Sequence, residues 1–210
     1  MSLVLICSLA SCALDPQSQS MMDAYRLIEQ GQVVSDADLN PNYRYLRVQV
    51  EGHPIFMALG YVDQVPSGPV EVWYSADHNL IRLQNGRLVG AVVKSGVSWL
   101  SVSFDHLPRW DAISNQAVFE RSRDVSPGYR YGIRETMLIR RIASPADTNL
   151  QRVPAASLSW FEESVEGGKD SRPSRYALNH EGRVIYGEQC LSREFCLSWQ
   201  DWPYTGKGLH

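Results

Sequence analysis

Two cysteines near the end of the chain, Cys190 and Cys196, have the spacing of a disulfide. Five residues separate them, which suits a hairpin loop whose flanking strands bring two thiols within bonding reach. A disulfide fits an oxidising compartment. Two reduced structural cysteines are the alternative, because sequence alone does not fix the distance between the thiols. A zinc site is disfavoured, since the only histidines nearby are His180 and His210 and the spacing is not that of a zinc ligand set.

Cys12 has the sequence context of a cysteine that accepts lipid. It ends the run Leu9-Ala10-Ser11-Cys12, which directly follows an apolar stretch over residues 3–9. A secretory leader has an apolar core of about 7–15 residues and then small residues at the cleavage site. The arrangement resembles a bacterial lipoprotein signal, so we predict a signal peptide over residues 1–11, acylation of Cys12 and a polar tether over residues 12–20. The alternative is a short buried segment of a soluble domain, since no Lys or Arg precedes the apolar stretch.

The residue after Cys12 indicates whether the lipid anchor lies in the inner or the outer membrane. Gram-negative lipoproteins that stay at the inner membrane commonly carry Asp at this position, and Ala13 stands there instead. We therefore predict the periplasmic face of the outer membrane. No later stretch approaches the roughly eighteen apolar residues of a membrane helix. Attachment to the membrane is thus predicted to rest on lipid at Cys12, since two or more acyl chains anchor a protein stably.

Enzyme motifs are missing from the chain. It has no Gly-x-Ser-x-Gly, His-Glu-x-x-His or phosphate-binding glycine loop, and its five histidines are scattered. Residues 36–40 begin like a calcium loop, but Pro41 stands where glycine is needed and Arg47 where the closing glutamate belongs. We predict no catalytic residue, no metal and no cofactor.

Glycoside hydrolysis is the one enzymatic alternative that we retain. It requires two carboxylates held about 5–10 Å apart. Glu162 and Glu163 are unsuitable as a couple, because neighbours on a strand point to opposite faces. The candidate carboxylates are Glu71, Asp77, Asp105, Asp111, Glu162 and Glu163.

Aromatic residues and arginines offer better material for binding sugars. Indole rings stack on sugar faces, and arginines attract acidic sugars or phosphate. The candidate glycan-binding residues are Trp73, Trp99, Trp110, Arg130 and Arg134, with Arg121, Arg123, Tyr129, Tyr131, Arg140 and Arg141 in the same region as the last two. The alternative is that the tryptophans belong to the core and the arginines are solvated strand positions.

Composition limits the classes of partner. The chain has 210 residues and a net charge of −3, so no basic excess indicates nucleic acid. We predict one domain over residues 21–210. Its first element is a short amphipathic helix over residues 21–30, with Ser20 as a cap and Gly31 at its end.

Beyond that helix the apolar residues recur with period two, which indicates half-buried strands. Asn85-Gly86 predicts a tight hairpin, because such a turn needs positive φ at both residues. Further turns follow at short intervals, and residues 144–157 form the longest irregular connection. A twisted antiparallel meander of about ten or more strands tends to curl or split, so we predict an all-β barrel-like or sandwich architecture. The alternating runs include Leu46, Val48 and Val50; Val70, Val72 and Tyr74; and Leu100, Val102 and Phe104.

One segment resembles a known family. Trp73-Tyr74-Ser75-Ala76-Asp77, followed by Leu83-Gln84-Asn85-Gly86-Arg87, is similar to the most characteristic strand and hairpin of the YjbF/GfcB (YmcC) family of capsule- and exopolysaccharide-associated lipoproteins. The likeness extends more weakly over most of the mature chain. It implies a β-barrel-like fold, an outer-membrane anchor and a role in surface polysaccharide assembly or export. It supplies no catalytic residues.

Three functions follow from these observations. The first is a non-catalytic, periplasm-facing outer-membrane lipoprotein that assists capsule or exopolysaccharide assembly or export, with the polysaccharide or export-machinery proteins as partners. The second is a lipid or lipoprotein carrier whose open barrel is lined by aliphatic side chains. The third is the glycoside hydrolase.

Overall fold

The computed structural model describes residues 39–50, 52–93, 96–168 and 172–203. The predicted signal peptide, the tether and the helix over residues 21–30 lie outside these ranges, as does most of the calcium-like stretch. Twelve strands follow one another in an antiparallel meander, and the last pairs with the first to close a barrel. The predicted all-β barrel is therefore confirmed. The strands are β1 (Tyr45–Val50), β2 (His53–Val65), β3 (Gly68–Tyr74), β4 (Leu80–Gln84), β5 (Arg87–Val92), β6 (Ser98–Phe104), β7 (Gln116–Ser126), β8 (Arg130–Ile142), β9 (Ser159–Val165), β10 (Ser174–Leu178), β11 (Val184–Cys190) and β12 (Cys196–Trp202).

The hairpin between β4 and β5 forms as the sequence predicts. Asn85 and Gly86 have φ values of 49° and 75°, the left-handed conformation that this pair adopts at low cost. Glycine is also required for space, since a Cβ at residue 86 would lie 2.3 Å from Cβ of Val184. The turn therefore packs directly against the start of β11.

The barrel interior is filled by side chains. Buried residues from eleven strands form one apolar cluster, and the partly buried Val184 of β11 packs against it. Trp73, Phe161 and Tyr176 are among its largest fully buried side chains. Leu46 and Val48 of β1 join it through the alternation seen in the sequence. The carrier hypothesis required an open, empty, aliphatic interior. Within the part of the chain that the structure describes this expectation is wrong, because the core occupies that space.

The connection between β8 and β9 is the longest between strands, as predicted, and it covers the outside of the barrel. The indole N–H of Trp160 donates to the carbonyl of Ala155 at 2.8 Å. Asn149 donates its backbone N–H to the hydroxyl of Tyr186 at 3.2 Å. Outward-facing side chains of β9, β10 and β11 are thereby buried in a second cluster with residues of this connection.

The meander gives the barrel two distinct ends. The end that contains the loops after β7, β9 and β11 also contains Cys190 and Cys196, and we call it the disulfide end. The opposite end contains the start of β1 and the connection between β6 and β7. Trp110 of that connection inserts beside Phe161 and Tyr176, with ring centroids 5.3 and 5.1 Å away. Its indole N–H donates to the carbonyl of Asn85 at 3.0 Å, so this side chain fills the opposite end.

Candidate functional site

The predicted disulfide is present. Cys190 and Cys196 are directly opposed on β11 and β12, and their sulfur atoms are bonded. The bond closes the loop over residues 191–195 at its base. Within this loop the backbone N–H groups of Leu191 and Ser192 both donate to the carbonyl of Phe195. The loop therefore holds a fixed position beside the barrel mouth.

A cavity of about 390 Å³ opens at the disulfide end. Its volume lies in the lower part of the range of about 300–1,000 Å³ that is typical of ligand sites. Four arginines and two glutamates are among the residues that line it, so the cavity has a strongly charged wall. The lining residues are Trp99, Arg121, Arg123, Glu135, Met137, Glu163, Ser164, Val165, Gly168, Arg172, Ser174, Gln189, Cys190, Leu191, Ser192 and Arg193. We call it the arginine cavity.

A triad of charged side chains forms one wall. Arg121 and Arg123 are two positions apart on β7, so their side chains point to the same face of the sheet. Arg121 lies opposite Glu135 of β8. Glu135 accepts two hydrogen bonds from each guanidinium, at 2.6–3.0 Å. Burial opposes ionisation of Glu135, but the two arginines outweigh it and lower the pKa of the carboxyl. Both guanidinium groups lie 5.0 Å from the ring centroid of Trp99, so hydrogen bonds and ring contacts together fix the two arginines.

A second ion pair lies deeper in the barrel. Arg87 of β5 donates from Nε to Glu163 of β9 at 2.6 Å, and the two side chains are only 2% and 4% exposed. The guanidinium of Arg87 lies 3.5 Å from the ring centroid of Trp110, a favourable cation–π distance. Burial, together with the charge of Glu163, raises the pKa of the neighbouring Tyr176 hydroxyl well above its ordinary value. The pair links the arginine cavity to the side chain that fills the opposite end.

The remaining two arginines stand at the rim. Arg172 precedes β10, and Arg193 belongs to the disulfide-closed loop. Arg172 contacts the sulfur of Cys196 at 4.0 Å, and both arginines are exposed. The four arginines and two glutamates among the described lining residues amount to two more positive than negative charges, in a chain whose net charge is −3.

This arrangement can hold an anion. Arginine donors form charge-assisted, often bidentate hydrogen bonds with carboxylate and phosphate groups. Ser164, Ser174 and Ser192 add hydroxyls to the same wall, and these groups can pair with sugar hydroxyls. The cavity therefore suits a polar, negatively charged ligand better than an apolar one.

The structure separates the residues predicted to bind glycan. Trp99 borders the arginine cavity but is buried, and its ring lies beneath Arg121 and Arg123. Trp73 lies in the core, and Trp110 fills the opposite end, so neither ring face is open to a ligand.

Arg130 and Arg134 are exposed on β8 and are not part of the cavity wall. Binding of glycan by the five predicted residues stays a prediction. Arg121 and Arg123 belong to the arginines that the sequence predicts could attract acidic sugars or phosphate, whereas no sequence pattern identifies Glu135, Arg172 or Arg193. The alternation of side chains along a strand places Arg121 and Arg123 on one face. Arg172 and Arg193 lie outside the strands, and only the barrel topology brings them beside the other two.

The candidate carboxylates of a glycosidase are mostly paired with arginine. Glu71 pairs with Arg44, Asp111 with Arg109, Glu162 with Arg140 and Glu163 with Arg87, all at 2.6–2.7 Å. An arginine at this distance stabilises an ionised carboxylate, whereas the acid of a glycosidase has to be protonated. Hydrogen bonds from backbone N–H groups, above all that of Glu120, lower the pKa of Asp105. Glu162 and Glu163 lie on opposite faces of β9, as predicted.

A second charged cavity of about 400 Å³ lies at the opposite end. It is lined by two ion pairs, Arg44 with Glu71 and Arg183 with Asp201, each at 2.7 Å. Burial raises the pKa of Asp201 to about 6, although Arg183 and Arg44 act in the other direction. The two pairs balance, so the charged side chains that line this second cavity sum to zero.

Among the described residues, no helix has the length and apolar character of a membrane span. The same residues include no group of three or more His, Cys, Asp or Glu side chains that could hold a metal ion.

Comparison with known proteins places this barrel in a family. Among solved structures, the crystal structure of the hypothetical lipoprotein YmcC from Escherichia coli K12 aligns with a TM-score of 0.59 and 19% identity, covering 97% of this chain and 100% of that one. At this identity the likeness shows the fold alone. A search of curated proteins finds no match. Residues 19–196, well over half of the chain, match the family described as "Group 4 capsule polysaccharide lipoprotein gfcB, YjbF". The chain therefore belongs to the YjbF family of group 4 capsule polysaccharide lipoproteins.

Proposed function

We propose that the protein is a lipid-anchored component of the outer membrane, on its periplasmic face, that assists capsule or exopolysaccharide assembly or export without catalysing a reaction. The observation that carries the proposal is the family match over residues 19–196. The arginine cavity adds a surface suited to an acidic polymer. The ion-paired carboxylates support a binding role over glycoside hydrolysis.

The anchor is proposed to be lipid on Cys12. Residues 9–12 supply the leucine and the small residues that precede an acylated cysteine. The Cys190–Cys196 disulfide suits an oxidising compartment such as the periplasm.

The role in polysaccharide production is tested by deleting the gene and measuring surface polysaccharide. We expect a deletion strain to lose it and the wild-type gene to restore it. Cys12→Ser should fail to restore it, because the unacylated protein has no anchor. Cys7→Ser is the matched control, since this residue lies in the predicted leader and should be removed. Normal polysaccharide in the deletion strain would overturn the proposed function, and full rescue by Cys12→Ser would show that anchoring is dispensable.

The location is tested separately by membrane fractionation and mass spectrometry of the mature N-terminus. We expect an acylated Cys12 in the outer-membrane fraction. Ala13→Asp should move the protein to the inner membrane without changing its acylation. An unmodified N-terminus at Met1 in the native host would contradict the anchor.

A further inference from the structure

We propose that the second cavity, at the end opposite the disulfide, binds an uncharged sugar whose hydroxyls are held by two ion pairs, Arg44 with Glu71 and Arg183 with Asp201. We call it the ion-pair cavity, after these four lining residues. The inference rests on the proposed function only for the ligand being part of a polysaccharide. The site itself is argued from the contacts of the cavity lining.

The charge of the lining selects against ions. Two arginines and two carboxylates line the ion-pair cavity, and their charges sum to zero. An anion that enters meets both carboxylates and a cation meets both guanidinium groups, so neither sign of charge is favoured. The arginine cavity differs, with two more positive than negative lining charges. Another cavity at the same end, of about 520 Å³, is not balanced either, since three arginines and two carboxylates are among its lining residues.

The four charged groups have hydrogen-bonding capacity to spare. In each pair, Nη2 of the arginine lies 2.7 Å from one carboxylate oxygen, and the side chains are 20–33% exposed, so a ligand in the cavity can reach them. These groups form no further side-chain hydrogen bond with the described residues. A sugar hydroxyl both donates and accepts hydrogen bonds. Adjacent carboxylates and guanidinium groups therefore match neighbouring hydroxyls, through charge-assisted hydrogen bonds.

A buried donor beside these pairs lacks a partner. Trp199 lines the cavity and is 2% exposed. Its indole N–H, like the Nε–H of Arg183, is buried without a hydrogen-bond partner among the described residues. Native proteins leave few buried donors unpaired. The ion pairs alone could serve the fold, whereas the unpaired donors indicate a ligand whose oxygen atoms supply the missing acceptors.

Apolar side chains complete the lining. Val62, Leu83 and Val184 border the cavity beside the charged groups. A sugar ring carries C–H groups on its faces and hydroxyls at its edge, so it can pack against apolar side chains while it forms hydrogen bonds. The volume of about 400 Å³ lies in the range of small-ligand sites, which combine an apolar lining with a few polar groups. The cavity therefore suits one sugar unit or a short stretch of polymer.

Isothermal titration calorimetry with the full-length protein, in a detergent without a sugar head group, tests the site. The neutral probes are glucose, galactose and N-acetylglucosamine, and galacturonate is the anionic counterpart of galactose. We expect at least one neutral sugar to bind, with an affinity that changes little with salt, because screening acts between charged partners. Excess galacturonate should not displace that sugar, since Glu71 and Asp201 repel a further carboxylate.

Two double variants locate the binding. Glu71→Gln/Asp201→Asn removes both carboxylates of the cavity, and we expect the affinity for the neutral sugar to fall at least about tenfold. Asp63→Asn/Glu162→Gln makes the same replacements in carboxylates that pair with arginines outside the cavity, and it should bind as wild type does. Both variants change the net charge equally, so a general electrostatic effect would appear in both. Melting temperatures verify their folds, and Glu71→Gln alone replaces the cavity variant if that one does not fold.

Three results would overturn the inference: no neutral sugar binds, galacturonate displaces the neutral sugar, or the cavity variant binds no more weakly than its control. The outcome is separable from that of the proposed function. Absent sugar binding, together with a deletion strain that lacks surface polysaccharide, removes only the site. Carboxylate-dependent binding, together with normal polysaccharide in the deletion strain, removes only the role in capsule production.

Discussion

The buried pair of Arg87 and Glu163 makes a quantitative prediction about stability. Glu163→Gln keeps the shape of the side chain and an oxygen that can accept from Nε of Arg87, but it removes the negative charge. Arg87 would then be a buried cation without its counter-charge, since its side chain is 2% exposed. Its Nη2 is already buried without a hydrogen-bond partner among the described residues. The loss therefore falls on a group that water cannot easily solvate.

The magnitude follows from burial. Removing one partner of a buried ion pair costs about 3–5 kcal/mol, because the other charge stays uncompensated. The contact of Arg87 with Trp110, at 3.5 Å from the ring centroid, is present in both proteins and does not offset the loss. The amide oxygen that Glu163→Gln introduces still accepts from Nε and keeps the cost at the lower end of this range. We expect Glu163→Gln to lower the free energy of unfolding by about 3 kcal/mol. This is a large fraction of the roughly 5–15 kcal/mol that stabilises a folded domain.

Urea denaturation followed by tryptophan fluorescence measures the change, and the next residue supplies the control. Glu162 lies on the outer face of β9, where it pairs with an exposed Arg140 at 2.6 Å. Glu162→Gln makes the same chemical change to a surface pair, which is worth at most about 1 kcal/mol. The two variants differ by one position in the sequence and by the side of the sheet.

A double variant completes the test. Replacing both partners, as in Arg87→Met/Glu163→Met, leaves no buried charge, so it should be less destabilised than either single replacement. Equal small losses from Glu162→Gln and Glu163→Gln would refute the reasoning. So would a double variant whose loss equals the sum of the single losses, because the two charges would then not be coupled.

Three further predictions concern other parts of the barrel. Reducing the Cys190–Cys196 disulfide, or replacing both cysteines by serine, should lower the free energy of unfolding by about 2 kcal/mol for so short a loop; an unchanged melting temperature with and without reductant would contradict this. Because burial raises the pKa of Asp201 to about 6, the folded state binds its proton more tightly than the unfolded state. As pH rises from 4 to 7, the free energy of unfolding of the wild type should therefore fall relative to that of Asp201→Asn, by up to about 3 kcal/mol. Curves of unfolding free energy against pH that run parallel for the two proteins would contradict this prediction. In Gly86→Ala, the new Cβ would lie 2.3 Å from Cβ of Val184, on a residue with positive φ. The free energy of unfolding, measured by urea denaturation, should therefore fall by about 1–3 kcal/mol, and an unchanged value would show that the turn adapts.

The sequence predicts the local parts of this fold well, because they depend on near neighbours. Asn85 and Gly86 determine a turn by their own conformational preferences, and the turn forms. Alternation in Leu46, Val48 and Val50 places these side chains inside the barrel. The same rule separates Glu162 from Glu163. Each of these inferences needs only a few consecutive residues.

Long-range partners could not be predicted in this way. Arg87 and Glu163 are 76 positions apart, and their contact depends on the registers of β5 to β9. Bulges shift two of the pairings between them, after Trp99 and after Arg123, and no residue pattern marks where a bulge will occur. The arginine cavity has the same origin, since Arg172 and Arg193 lie in separate loops that only barrel closure brings to one mouth.

The tryptophans show a different difficulty. An indole ring suits a sugar platform and a hydrophobic core equally well by residue type. In the closed barrel Trp73 and Trp110 are used for packing, and Trp99 supports the arginines that line the cavity. Which use applies is decided by burial, and burial follows from tertiary structure.

Complementation of the deletion strain tests most directly whether the arginine cavity handles the polysaccharide. The strain would carry either Arg172→Gln/Arg193→Gln or the control Arg130→Gln/Arg134→Gln, with protein amounts matched by immunoblot and surface polysaccharide measured. We predict that the control restores wild-type amounts and that the cavity variant does not. Full restoration by the cavity variant would show that the arginine cavity does not supply a surface for the polymer.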